Sequence, residues 1–249
     1  MRKILFLALA MTVLISSKPS AAADSPLKEA ATQYQAGDYQ KATASYEKLI
    51  LSGSKTGALY YNLGNAAFRA GQKGKAILAY ERALSLEPRD ADIRWNLGVI
   101  KNTVVDIVDD PDGNILISGI KQLLRWVTID EVAAVFAAAL GLLFLFSLSM
   151  VLAPSWRAGL RTISMAWVVL AILAGTVFLA KWLDVKDSRA VVLTKEVLAR
   201  YGPSEKETKA FSLHEGAEVK IVDETQDWYL ISFGSKNTAW IKKSSCELI

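Results

Sequence analysis

Apolar positions along this chain change their spacing several times, and each change marks a segment. A basic start, Arg2 and Lys3, runs into an unbroken apolar stretch from Ile4 to Ile15 and then into small residues ending Ala21-Ala22-Ala23. From Asp24 to about Val104 apolar residues recur at three- and four-residue intervals, the mark of helices packed on one side. Two uncharged stretches come next, Val132 to Leu152 and Ile163 to Ala180. Beyond Arg189 short apolar runs are broken by turn formers, which predicts strands. The expected architecture is a leader, an all-α module, a two-helix membrane hairpin and a small all-β module.

Residues 1–23 have the order of a secretory signal, and the small Ala21 and Ala23 suit cleavage before Asp24. An uncleaved amino-terminal anchor is the other reading of the same residues, and either one exports the module that begins at Asp24.

Sliding the chain by 34 residues brings Tyr61-Asn62-Leu63-Gly64 onto Trp95-Asn96-Leu97-Gly98. The same shift pairs Phe68 with Tyr34, Gly71 with Gly37, Ala76 with Ala42 and Tyr80 with Tyr46. A fixed period of this length is the sign of stacked helix pairs that cannot bury their apolar faces alone. The units fall at 24–56, 57–90 and 91–104, the last a single capping helix. Gly64 and Ala76 are small where helices cross, Tyr80 and Leu63 fill the space between, Gly71 lies in the turn, and Pro88 ends the second helix.

These positions resemble the tetratricopeptide repeat, with Leu63, Gly64, Gly71, Ala76, Tyr80, Ala83 and Pro88 carrying the pattern from Gly57 to Asp90. The first unit departs from it, with Ala30 where the glycine would be and Ser54 for the proline. The resemblance implies a concave face that takes up peptides or partner helices, with Tyr61, Asn65, Phe68, Arg69 and Trp95 as candidate contacts. Phe68 is open to a core reading, and Asn62 and Asn96 read as hydrogen-bonding residues between repeats.

Two spans are expected at 132–152 and 163–183, joined by a loop at 153–162. At a rise of about 1.5 Å per residue the two uncharged stretches reach about 31 Å and about 27 Å, near the thickness of a hydrocarbon core. Thr128 and Glu131 have the spacing of a capping box, and Trp126, Trp156 and Trp182 fall at segment ends where an indole prefers the interface. Arg157 and Arg161 hold the intervening loop in the cytoplasm, which places both end modules outside. A buried soluble hairpin is the competing reading. In the linker 105–131, Ile120, Leu123, Leu124 and Val127 form an apolar stripe on a helix suited to the membrane surface. The turn Asp109-Asp110-Pro111-Asp112-Gly113 does not fit a calcium loop, because Val108 would stand at the first ligand position.

The carboxy-terminal strands are expected at 190–193, 196–199, 218–222, 228–233 and 239–241, in a compact barrel of five or six strands. Arg200, Gly202-Pro203-Ser204, Glu215-Gly216, Trp228 and Ala239-Trp240-Ile241 resemble bacterial SH3 domains over residues 189–249, with Tyr201 and Ala239 as departures. That resemblance implies an aromatic groove at Trp228, Tyr229 and Trp240 for peptides or cell-wall stems; barrel core is the other reading of the same side chains.

Composition adds exclusions. The chain of 249 residues is 52% hydrophobic, above the soluble average, and its 29 basic residues are spread among 25 acidic ones, a poor match to a nucleic-acid groove. His214 is the single histidine and Cys246 the single cysteine, so metal clusters, internal disulfides and a nucleophile–base pair have no residues to build them. The expectation is a binding protein with no cofactor and no enzymatic activity.

The order of signal, repeats, two spans and SH3-like module resembles the tetratricopeptide proteins of the Bat aerotolerance operon. What this implies is a scaffold in the bacterial inner membrane with its outer modules in the periplasm. Its partners would be von Willebrand A-domain membrane proteins and a MoxR-type AAA+ ATPase, in envelope stress resistance. The rival from another class is a peptidoglycan-binding sensor or anchor.

Overall fold

The computed structural model describes residues 21–106, 119, 124–152, 157–186, 188–234 and 237–249. The expected signal up to residue 20, the Asp109–Gly113 turn, Ile120, Leu123, Pro154 and Trp156 lie outside these residues.

The amino-terminal module consists of α1 (Ala21–Gln35), α2 (Tyr39–Leu51), α3 (Gly57–Arg69), α4 (Lys73–Leu86) and α5 (Ala91–Lys101). Gly37 and Gly71 hold φ at +82° and +78° in the α1–α2 and α3–α4 turns, a backbone region that a side chain resists. Thr56 Oγ1 accepts from the Leu59 N–H at 3.2 Å to cap α3, and Asp90 Oδ1 accepts from Asp92 and Ile93 to cap α5. Ala30, Ala42, Ala66, Ala76 and Ala83 are fully buried, which brings the helix backbones close. In the third unit the described residues form α5, which ends at Lys101.

The α6 (Ile129–Leu152) and α7 (Arg157–Lys186) helices form an antiparallel hairpin held by Phe136 on Phe178 (ring centroids 5.6 Å apart) and Phe146 on Trp167 (5.9 Å). The capping box forms: the Thr128 N–H donates to Glu131 Oε2 at 3.0 Å and the Glu131 N–H to Thr128 Oγ1 at 3.2 Å. Arg157 and Arg161, expected in the loop, stand on the first turns of α7. Ile129–Ser149 and Ile163–Leu183 are long and apolar enough to cross a membrane, and only 11% and 6% of them is buried. That bareness is compatible with membrane anchoring, since a soluble core helix is covered by its own protein.

The carboxy-terminal module is one antiparallel sheet of seven strands: β1 (Arg189–Val192), β2 (Glu196–Arg200), β3 (Lys209–His214), β4 (Glu218–Glu224), β5 (Trp228–Phe233), β6 (Asn237–Lys242) and β7 (Cys246–Leu248). Their order is β3-β2-β6-β5-β4-β1-β7. The antiparallel sheet is as expected, but the strand count exceeds the expected five or six: β3 and β7 are additional, and among the described residues no ladder joins these two edge strands. The core is made by Ala190, Val192, Ala199, Leu213, Val219, Ile231, Ala239 and Ile241.

The two outer modules share a hydrophobic core. Val191, buried with Ile77, Ile93, Leu97 and Ile100, belongs to the helical cluster, and Leu193, Val104 and Ile249 pack against it. The α4 helix is therefore buried on two stripes. Ala76, Tyr80 and Ala83 belong to its repeat packing, while Gly74 and Ile77 meet the sheet module and Glu81 is linked to it through Lys101. A Cβ on Gly74 would lie 2.5 Å from the Val192 carbonyl oxygen, and one on Gly216 2.5 Å from Val104, so both glycines permit the contact. Charge fixes its register. Lys101 Nζ lies 2.6 Å from both Glu81 and Glu218, Arg82 lies 2.9 Å from Glu247, and Glu215 accepts from the Gly74 N–H at 2.9 Å in the first turn of α4.

Candidate functional site

The groove candidates divide into positioning and open side chains. The α3 spacing puts Tyr61, Asn65, Phe68 and Arg69 on one face, and the repeat sets Trp95 of α5 beside it. Asn65 Oδ1 accepts from Tyr80 Oη at 2.7 Å and from Asn96 Nδ2 at 3.0 Å, and Asn96 also donates to Tyr61 Oη at 3.2 Å. One amide thus ties three helices together, and Asn96 does the inter-repeat bonding that the sequence predicts for it. Tyr61 and Asn65 are half-buried parts of this network, whereas Phe68 is 38% exposed, Arg69 is exposed and Trp95 is 74% exposed. An indole so uncovered gains from a partner that removes it from water.

In the sheet module the pleat separates the aromatic candidates. Trp228 faces Lys242 across the β5–β6 ladder and Leu230 faces Trp240, which places Trp228, Leu230, Trp240 and Lys242 on the face away from the core. Tyr229, opposite Ile241, turns the other way and packs against the core. Trp228 and Trp240 are thus together and Tyr229 apart. Trp228 is 9% exposed and lies in an open cleft of about 650 Å³. The β2–β3 loop residues Pro203 and Glu205, the β4–β5 turn residue Asp227, and Lys242 and Lys243 complete its wall. Lys242 pairs with Glu205 and lies 5.9 Å from the Trp228 ring centre. Lys243 bonds Glu224 at 2.6 Å, which raises its pKa above the usual lysine value.

A partly buried charge triad lies between the modules, with Lys101 bonded to both Glu81 and Glu218. Burial alone would raise Glu81, yet the Lys101 ammonium, helped by Arg189, holds it below the usual carboxylate range. Burial would lower Lys101, but Glu81 and Glu218 hold it above its ordinary value. Sequence reading did not find this triad, because its members lie in separate modules. His214 bonds Asp106 through Nδ1 at 3.1 Å and serves the same contact. Cys246 is 8% exposed and burial pushes its thiol up to about 11, so it is a poor nucleophile. Among the described residues no three His, Cys, Asp or Glu side chains converge to hold a metal.

A sequence model of the tetratricopeptide repeat family matches residues 57–90, the unit formed by α3 and α4. The chain contains a tetratricopeptide repeat, a module that generally binds protein partners. Comparison with curated proteins gives no match.

Proposed function

We propose that this protein is a membrane-anchored, non-enzymatic scaffold whose repeat groove and sheet module face the same, periplasmic side of a bacterial inner membrane. The observation that carries the reading is the shared core of the two outer modules. They flank the α6–α7 hairpin in sequence, and only an even number of crossings lets them meet on one side. The exposed Trp95 and Phe68 supply the partner-binding face.

The partners implied by the likeness to BatE-type proteins are von Willebrand A-domain membrane proteins and a MoxR-type AAA+ ATPase system. A photoreactive residue at Trp95 in intact cells tests this, with capture of an A-domain membrane protein as the expected result. Topology is tested separately by impermeant maleimide on cysteines at Leu51 and Val222, exposed at 86% and 55%. Labelling of both from outside supports the common side, and protection of either removes it. A second reading, a peptidoglycan anchor, is favoured by the cleft beside Trp228.

A further inference from the structure

The turn between α4 and α5 lies against the beginning of the first span. Arg89 Nη2 is 2.9 Å from Glu131 Oε2, and Glu131 belongs to the first turn of α6. Leu86, 47% exposed, shares a recess of about 350 Å³ with Pro88, Thr128 and Glu131. Beside it the Arg94 guanidinium stacks 4.3 Å from the centre of the Trp126 ring, itself 46% exposed. Lys181, at the end of the second span, donates to the Leu124 carbonyl at 3.0 Å, and the neighbouring Trp182 is 43% exposed.

These distances fix a depth. The apolar window of α6 opens at Ile129, so Thr128 and Glu131 stand where hydrocarbon gives way to headgroups. The headgroup layer on each side is only about 5–8 Å deep. A turn tied to Glu131 by one arginine side chain cannot stand clear of it. Exposed leucine and indole beside arginine and lysine suit this layer, with apolar groups sunk toward the chains and cations at the phosphates, and the acidic Glu87 and Asp90 of the same recess require its water-facing edge.

We propose that the α4–α5 turn is a lipid-docking surface, resting in the phospholipid headgroup layer with Leu86 at its deepest point. This rests on the reading of α6 and α7 as spans. Docking at this turn holds the repeat module against the membrane through its own loop, continuous with the span.

The test uses the full chain in bilayers of phosphatidylethanolamine and phosphatidylglycerol, with single nitroxide labels on Leu86→Cys, Leu51→Cys and Val169→Cys. Cys246, being buried, does not compete for label. Collision rates with oxygen and with nickel ethylenediaminediacetate report depth. At Leu86 the nickel collision rate is expected to be several-fold lower than at Leu51, and the oxygen-to-nickel ratio to lie between those of Leu51 and Val169. A Leu86 label as accessible to nickel as Leu51, with Val169 in lipid, overturns the docking surface alone. A water-like profile at Val169 overturns the span reading and this proposal with it.

Discussion

A Cβ on Gly64 would sit 2.5 Å from Cε1 of the Tyr80 ring, so α3 and α4 are packed as closely as a glycine allows. In an exposed helix glycine-to-alanine gains about 1 kcal/mol. At Gly64 the added methyl must displace a fully buried ring, and overpacking of this kind costs about 1–3 kcal/mol. Gly64→Ala is therefore expected to lower the unfolding midpoint of the solubilised chain, and Gly98→Ala, which meets nothing within 4 Å, to leave it unchanged or raise it. Chemical denaturation of both variants checks the contrast.

The Glu81–Lys101–Glu218 triad gives the outer modules a pH window. Glu81 has a folded pKa below 4.5, so its contribution is present above 4.5 and is lost as pH falls through the folded value. Lys101 has a folded pKa above 10.5, so its contribution is present below 10.5 and is lost as pH rises through the folded value. Lys101→Met leaves Glu81 buried without its closest cation, at a cost of about 3–5 kcal/mol. The variant's acid transition, followed by amide exchange in α4 and β1, should move to higher pH; an unmoved transition would show that the triad does not join the modules.

Trp95 is the groove residue whose loss should cost binding and not folding. With 74% of its surface in water it contributes little to the core, and surface substitutions of this kind stay within about 0.5 kcal/mol. Asn65→Ala is the counterpart. It removes the acceptor of Tyr80 Oη and leaves Asn96 Nδ2 with Tyr61 Oη alone, at a cost of about 1–3 kcal/mol. Melting curves and partner crosslinking measured side by side should separate the two variants.

How much of the fold and groove was legible in the sequence depends on the distance between cooperating residues. The period that aligned Tyr61 with Trp95 placed α3, α4 and α5, because repeat packing is local and recurs. The capping box at Thr128 was legible for the same reason, its two partners being three residues apart. The docking of the outer modules was not. Gly74 on α4 and Lys101 on α5 lie outside the repeat pattern, and their partners Val192, Glu215 and Glu218 lie beyond both apolar helices. Strand β3 was missed because Lys209, Ser212 and His214 dilute its alternation, and β7 because three residues carry no period. The separation of Tyr229 from Trp228 is a consequence of the two-residue pleat, yet grouping them by residue type as one groove hid it.

That separation decides how the cell-wall reading should be tested. Trp228 is 9% exposed and Tyr229 packs on the core, so replacing either removes packing, about 3–5 kcal/mol for a large buried ring. Loss of sacculus binding in those variants would be ambiguous between a lost contact and a lost fold. Trp240 and Lys242 share the outer face with Trp228 and are less covered, so Trp240→Ala and Lys242→Glu probe the surface while sparing the core. Because Val191 and Ile249 pack into the helical core, the full chain in detergent is the proper sample. If the outer face binds peptidoglycan, the full chain sediments with sacculi and both variants lose most of that binding with an unchanged melting curve; loss in Lys242→Glu alone confines it to the cleft that Lys242 lines. Equal sedimentation of the parent and both variants would remove this face from the cell-wall reading and leave the repeat groove as the principal ligand surface.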